Sequence, residues 1–215
     1  MIITWMGHSC FLLKSEQGLT VLTDPYQIGG DIQYAPVRVT PDIVTVSHDH
    51  HDHNAVSAVP GKPEVVRDTR SKVAKGIEFK GVPTYHDSSE GKKRGANTAF
   101  CFTMDRMRLC HLGDLGHALS TEQAAAIGAV DILFVPVGGN YTIDAGVATR
   151  VCDQLGPRVV LPMHYKTARI DFPIAGVEEF IRGKKNVRQV DASDVEFRAE
   201  ELPAATEVVV LKPTP

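Results

Sequence analysis

With 215 residues, a formal net charge of −3 and no basic run interleaved with aromatics, the chain gives no sign of a dedicated nucleic-acid surface. Mean hydropathy is near zero and no stretch of about 18 apolar residues occurs, so no membrane span is expected. The opening Met1-Ile2-Ile3-Thr4-Trp5 has no basic leader, and Cys10, Cys101, Cys110 and Cys152 lack a two-residue spacing, so the expectation is a cytoplasmic chain with reduced, structural thiols.

In chain order, alternating apolar and β-branched residues predict strands at 2–5, 10–14 and 19–23, with Gly18 closing a hairpin. A Gly/Pro stretch around Gly29, Gly30 and Pro36 leads to a short buried strand at 42–47, and residues 54–58 can begin a short helix. Further strands are predicted at 64–66 and 81–85, and a hairpin at 98–103 and 107–111. Helices follow at 122–127, capped by Ser120 or Thr121, at 145–155, ended by Gly156 and Pro157, and at 177–182. Strands at 131–135 and 158–161 lie between them, and one at 207–211 would close a second sheet. Asp-Ile-Leu-Phe-Val at 131–135 echoes Asp-Ile-Val-Thr-Val at 42–46, which fits two related β-rich halves within one domain spanning 1–215.

Residues 48–53 read His48-Asp49-His50-His51-Asp52-His53, six consecutive side chains each able to bind a metal ion. They follow a buried strand, so extended backbone would point His48 and His50 the same way. Asp52 and His53 suit a second direction if the chain turns there. Asp49 and His51 alternate out of phase and are not expected to be ligands. A two-metal site needs about three protein donors per ion plus a bridge, leaving positions open for water and substrate. His86, Asp114 and His164 are the candidates, because each follows a predicted strand and could reach the same sheet edge.

Gly7-His8-Ser9-Cys10-Phe11, Leu22-Thr23-Asp24-Pro25, His48-x-His50-x-Asp52-His53, His86, Gly113-Asp114 and Pro162-Met163-His164-Tyr165 together resemble the metallo-β-lactamase superfamily. The resemblance is nearest to its small metal-dependent hydrolases of the ascorbate-6-phosphate lactonase-like group and covers nearly the whole chain. It implies an α/β fold, a four-layer αββα sandwich of two mixed sheets flanked by helices, with a dinuclear site in the cleft at the sheet edges. On that pattern His48, His50 and His86 would hold one ion, Asp52, His53 and His164 the other, and Asp114 would bridge them. Asp24 would orient a ligand imidazole through a hydrogen bond.

Zinc is the first expectation for both divalent ions, with manganese, iron or nickel compatible with the same donors. A metal-activated hydroxide would then cleave a small ester, lactone or phosphodiester, with Asp114 and Asp52 as the catalytic carboxylates. Asp52, a water, His8 or His117 would relay a proton to the leaving group, and His8, His117, Tyr141 and Tyr165 could line the substrate cleft. The Lys92-Lys93-Arg94 run reads as a solvated loop that could also attract an anionic substrate. The loops at 26–37, 87–96 and 140–144 would set specificity. Two other readings stand beside hydrolysis: a mononuclear iron oxygenase acting on a thiol-linked substrate, and a catalytically silent metal-binding protein. A small-molecule substrate is the expected partner, without nucleic acid or membrane, and homo-oligomer formation is left open.

Overall fold

Val21 and Leu22 are neighbours in sequence yet belong to two different hydrophobic cores, because successive strand side chains point to opposite faces. Ile43 and Val44 divide in the same way. Both strands therefore lie in a sheet buried on both sides. The computed structural model describes all 215 residues.

That first sheet contains β1 (Ile2–Gly7), β2 (Cys10–Lys14), β3 (Thr20–Thr23), β4 (Ile43–Thr45) and β5 (Glu64–Val66) in sequence order. The second contains β6 (Lys72–Ala74), β7 (Ile77–Tyr85), β8 (Ala96–Met104), β9 (Met107–His111), β10 (Ile132–Pro136) and β11 (Val159–Met163), also in order. Beyond β11 come β14 (Glu207–Val210) and then, at the edge, β12 (Val187–Gln189); β13 (Asp194–Glu196) crosses to pair with β1. Three short strands, β6, β12 and β13, were not expected from the sequence, and β12 rather than the final strand forms the edge. The two echoing segments, β4 and β10, are each flanked by parallel neighbours, β3 and β5 for one and β9 and β11 for the other.

Between the sheets, Phe11 of β2 meets Phe134 of β10 with ring centroids 4.7 Å apart. Both rings are buried, and each contributes roughly 1.5–3 kcal/mol by leaving water. Helices α1 (Thr121–Ile127), α2 (Ala145–Leu155) and α3 (Val177–Ile181) serve the second sheet: α1 packs on β7, and α2 on β10 and α3. Ser120 and Gln123 form a reciprocal capping box at the start of α1, and Gly156 ends α2 in the left-handed conformation. Outside the first sheet the covering layer is largely irregular. Tyr26, Ile32, Tyr34, Val37 and Val59 pack there with Ile170, and the expected helix at 54–58 is a single 3₁₀ turn, Val56–Ala58. No helix is long and apolar enough to cross a membrane.

All four cysteines are free. Cys101 and Cys110 face each other across β8 and β9 with sulfurs 3.6 Å apart. That hydrogen bond, together with Lys80, lowers the half-buried Cys101 thiol, whereas burial pushes Cys152 up to about 12 and Cys10 well up. An alkylating reagent at neutral pH should therefore label Cys101 first, and mass spectrometry finding Cys10 or Cys152 labelled equally fast would contradict this packing.

Candidate metal centre

Strands β1, β3 and β4 run in one direction in the first sheet, and β7, β9, β10 and β11 run in one direction in the second. Their carboxyl ends therefore share an edge, and the residues that follow them converge there: His8, Asp24, the 48–53 run, His86, Asp114 and His164. Open α/β sheets place ligands at the same end for the same reason.

Asp114 is the hub. One of its oxygens, Oδ2, lies 3.2 Å from His53 Nε2, 3.2 Å from His164 Nε2, 3.3 Å from His86 Nε2 and 3.9 Å from His48 Nε2. Asn97 fixes the hub by accepting the Asp114 backbone N–H at 2.9 Å, and its amide donates to Thr84 Oγ1 and the Leu112 carbonyl. Donor atoms of His48, His50 and His86 lie within 4.8 Å of one another, and so do those of Asp52, His53, His164 and His8. His48 Nε2 and His50 Nδ1 are 3.0 Å apart.

These separations suit a metal. Two nitrogen ligands about 2.05 Å from a tetrahedral ion lie roughly 3.4 Å from each other. His53 Nε2 and Asp114 Oδ1 are buried without a hydrogen-bond partner, a costly arrangement unless something else satisfies them. Nitrogen and carboxylate donors with no cysteine among them are the set that zinc, manganese, iron or nickel accepts.

A layer of polar groups behind the donors orients them. Asp24 accepts the Ser47 backbone N–H at 2.8 Å, the Ser47 hydroxyl at 2.6 Å and His53 Nδ1–H at 2.9 Å. Ser47 Oγ, its own proton given to Asp24, accepts Nδ1–H of His48 at 2.9 Å. The Nδ1 of both imidazoles is thus engaged on the far side, which turns each Nε2 toward the hub. Burial alone would raise the Asp24 carboxyl, but the hydrogen bond from His53 and the neighbouring imidazoles hold it below the usual range.

Charge is distributed unevenly among the histidines. Burial pushes His48 down to about 3 and His8 down to about 4, so both are neutral. For His53, burial is outweighed by Asp114 and Asp52, which raise it well above the ordinary value; binding a cation through Nε2 requires release of that proton. Asp114 and Asp52 are held far below the carboxylate range despite burial, Asp114 mainly by His164 and His53, and Asp52 mainly by His53.

Asp24 meets His53 Nδ1, and His8 sits behind Asp52, with Nε2 3.1 Å from Asp52 Oδ2 and no solvent exposure. Asp49 and His51 point to solvent. Two expectations are corrected. Tyr165 does not line the cleft: beyond the end of β11, where His164 takes a left-handed turn, it packs on Trp5 in the core, centroids 5.1 Å apart. His117 is also elsewhere. Its Nε2 accepts the Tyr85 backbone N–H at 3.1 Å, in a separate depression shared with Asp87 and Glu90.

The cleft over the donors has a volume of about 440 Å³, and its walls beyond them include Arg94, Tyr141 and Phe172. Arg94 and Tyr141 come from two of the loops expected to set specificity. The loop at 26–37 instead packs into the second core. Ser47, Asn97 and Phe172 were not singled out in the sequence; an Asn at a predicted hairpin's end, where strand propensity is poor, is the one signal that could have flagged Asn97.

His8, Asp24 and His164 all hold positive φ, at 53°, 38° and 51°, and Gly113 does so at 55°. Strained backbone of this kind gathers at functional sites. A Cβ on Gly113 would collide with Asn97 Oδ1 and Ser47, both part of the orienting layer. Gly113→Ala should cost about 2 kcal/mol or more and lower the urea midpoint, and an unchanged midpoint would contradict the packing.

Residues 2–164 match the model of the β-lactamase superfamily domain. The chain is similar to a UPF0173 metal-dependent hydrolase of Carboxydothermus hydrogenoformans, 31% identical, with 78% of this chain and 85% of the relative covered. Among solved structures, one from Thermotoga maritima, assigned to Zn-dependent hydrolases of the metallo-β-lactamase superfamily, superimposes with a TM-score of 0.82 at 37% identity, covering 99% of both chains. Igni18, a metallo hydrolase of Ignicoccus hospitalis, shares the fold at a TM-score of 0.68 and 20% identity, over 100% of this chain and 96% of its own.

Proposed function

Because the chain belongs to the metallo-β-lactamase superfamily, as one of its metal-dependent hydrolases, we propose that the convergent donors hold two divalent ions and that the protein cleaves a small ester, lactone or phosphodiester. His48, His50 and His86 would hold one ion, Asp52, His53 and His164 the other, with Asp114 shared. The observation that carries this reading is Asp114 Oδ2, one carboxylate oxygen facing four imidazole nitrogens at 3.2–3.9 Å. Bound there, the ions would supply an activated water at neutral pH and a Lewis-acid contact for the substrate oxygen. Zinc is the first choice of metal.

The chain's own residues divide the remaining work. Asp52 lines the cleft, where its carboxylate would take the proton of the attacking water and pass it to the leaving oxygen. Neutral His8, without solvent exposure, donates to Asp52 and acts as a positioning residue. Tyr141 and Phe172 meet edge to face with centroids 5.5 Å apart and give the cleft an apolar wall against a small organic substrate.

Seven donors exceed the His, His and Asp that a mononuclear iron oxygenase requires. The test is turnover of nitrophenyl phosphodiester, nitrophenyl ester and lactone substrates by protein purified without chelator. Hydrolysis lost on chelation and restored by zinc or manganese is the expected result. One iron per chain with oxygen consumption, and no hydrolysis, would overturn it.

A further inference from the structure

The loop after His86 is built around one carboxylate. Asp87 accepts backbone N–H groups from Ser89 at 2.6 Å, Gly91 at 3.1 Å, Lys93 at 2.9 Å and Arg94 at 2.8 Å. These four bonds lower the Asp87 carboxyl to about 2, against burial, and set the path of the chain through the whole loop. Lys92 and Lys93 face solvent, but Arg94 is half-buried and turned inward. Its guanidinium lies over the Tyr141 ring, 4.9 Å from the centroid.

Arg94 makes no ion pair and its guanidinium has no hydrogen-bond acceptor in the protein, although it borders the cleft that holds His50, His86, Asp114 and His164. It also borders an adjoining cavity of about 360 Å³ beside His48 and His50, where Arg67 is the second cation. The only carboxylate near Arg67 is exposed Asp49, at 3.9 Å. A guanidinium held over an aromatic face by a cation–π contact keeps its five N–H donors, which have no acceptor in the protein, free for an external oxyanion. Asp87 and Tyr141 thus hold ready a cation that nothing in the protein neutralises.

We propose that Arg94 sets substrate specificity by binding an anionic oxygen next to the scissile bond, so that the substrate carries a phosphoryl or carboxylate charge there. This rests on the hydrolytic reading above and narrows its substrate class to anions. The fork geometry matches two oxygens of one group, which a lysine ammonium cannot reproduce.

Calorimetric titration of the metal-loaded protein with phenylphosphonate, benzoate and neutral benzamide tests it, on wild type, R94M and R94K. The expected result is anion binding weakened about tenfold or more in R94M and less in R94K, with benzamide binding and metal content unchanged. The anion more strongly affected distinguishes a phosphoryl from a carboxylate substrate. Anion affinities untouched by R94M, or benzamide weakened equally, would overturn the proposal. In parallel, R94M should raise KM for an anionic nitrophenyl ester far more than for the neutral ester, and equal effects on the two would count against the proposal. If the loaded wild type hydrolyses neither ester, the hydrolytic reading fails, while the titration still decides the role of Arg94.

Discussion

Asp114→Asn is expected to lower turnover by about 10³ or more and to leave at most one tightly held ion per chain. The substitution keeps the shape and the backbone N–H that Asn97 accepts, but removes the charge facing His48, His53, His86 and His164. A shared carboxylate that holds two ions together affects activation of the water and polarisation of the substrate at once. Each is worth several kcal/mol, and 1.36 kcal/mol is one factor of ten in rate. Urea unfolding of the metal-free variant should stay cooperative, which separates loss of the site from loss of the fold. Full occupancy by two ions with wild-type turnover would remove Asp114 from its central place.

Asp24→Ala is expected to damage stability and metal binding together. Its carboxylate is fully buried and receives three donors, the Ser47 N–H, the Ser47 hydroxyl and His53 Nδ1–H. Removing it strands all three away from water, and leaving partners of a buried charged network unmatched costs about 3–5 kcal/mol. Asp24→Asn is the milder companion. It retains volume but cannot accept on every side, so His53 and, through Ser47, His48 lose their fixed orientation. Metal affinity should then fall about 10- to 100-fold, with a smaller loss of stability than in the alanine variant. Competition with a chelator of known affinity measures this, and an Asn variant that binds metal as tightly as wild type would show that Asp24 orients nothing.

The site was more legible in the sequence than the walls around it. Six adjacent His and Asp residues after an apolar strand, and single donors at the ends of later strands, leave a pattern because chemistry restricts which side chains can serve. Tyr165 and His117 show where adjacency misleads. The chain leaves β11 through a left-handed turn at His164 that puts Tyr165 on Trp5 while His164 faces the hub, and the Tyr85 N–H holds His117 outside the cleft. Phe172 gave no signal, since a half-buried aromatic in a loop looks the same whether it lines a cleft or covers a core.

In the fold, the long hairpin, the strands β4 and β10 and all three helices were legible, α1 and α2 through their caps and stops. β6, β12 and β13 are three residues each with one buried side chain at most, too little to register as alternation. The irregular layer over the first sheet is likewise invisible to periodicity, because Tyr26, Ile32, Tyr34 and Val37 bury themselves without repeating backbone geometry.

Anomalous diffraction from crystals of protein purified without chelator, collected at the absorption edge of the metal found, tests the central claim most directly. Two peaks about 3.5–4 Å apart are predicted, one among His48, His50 and His86, one among Asp52, His53 and His164, with Asp114 between them. A metal peak remote from Asp114, or none in protein that turns over substrate, would contradict it.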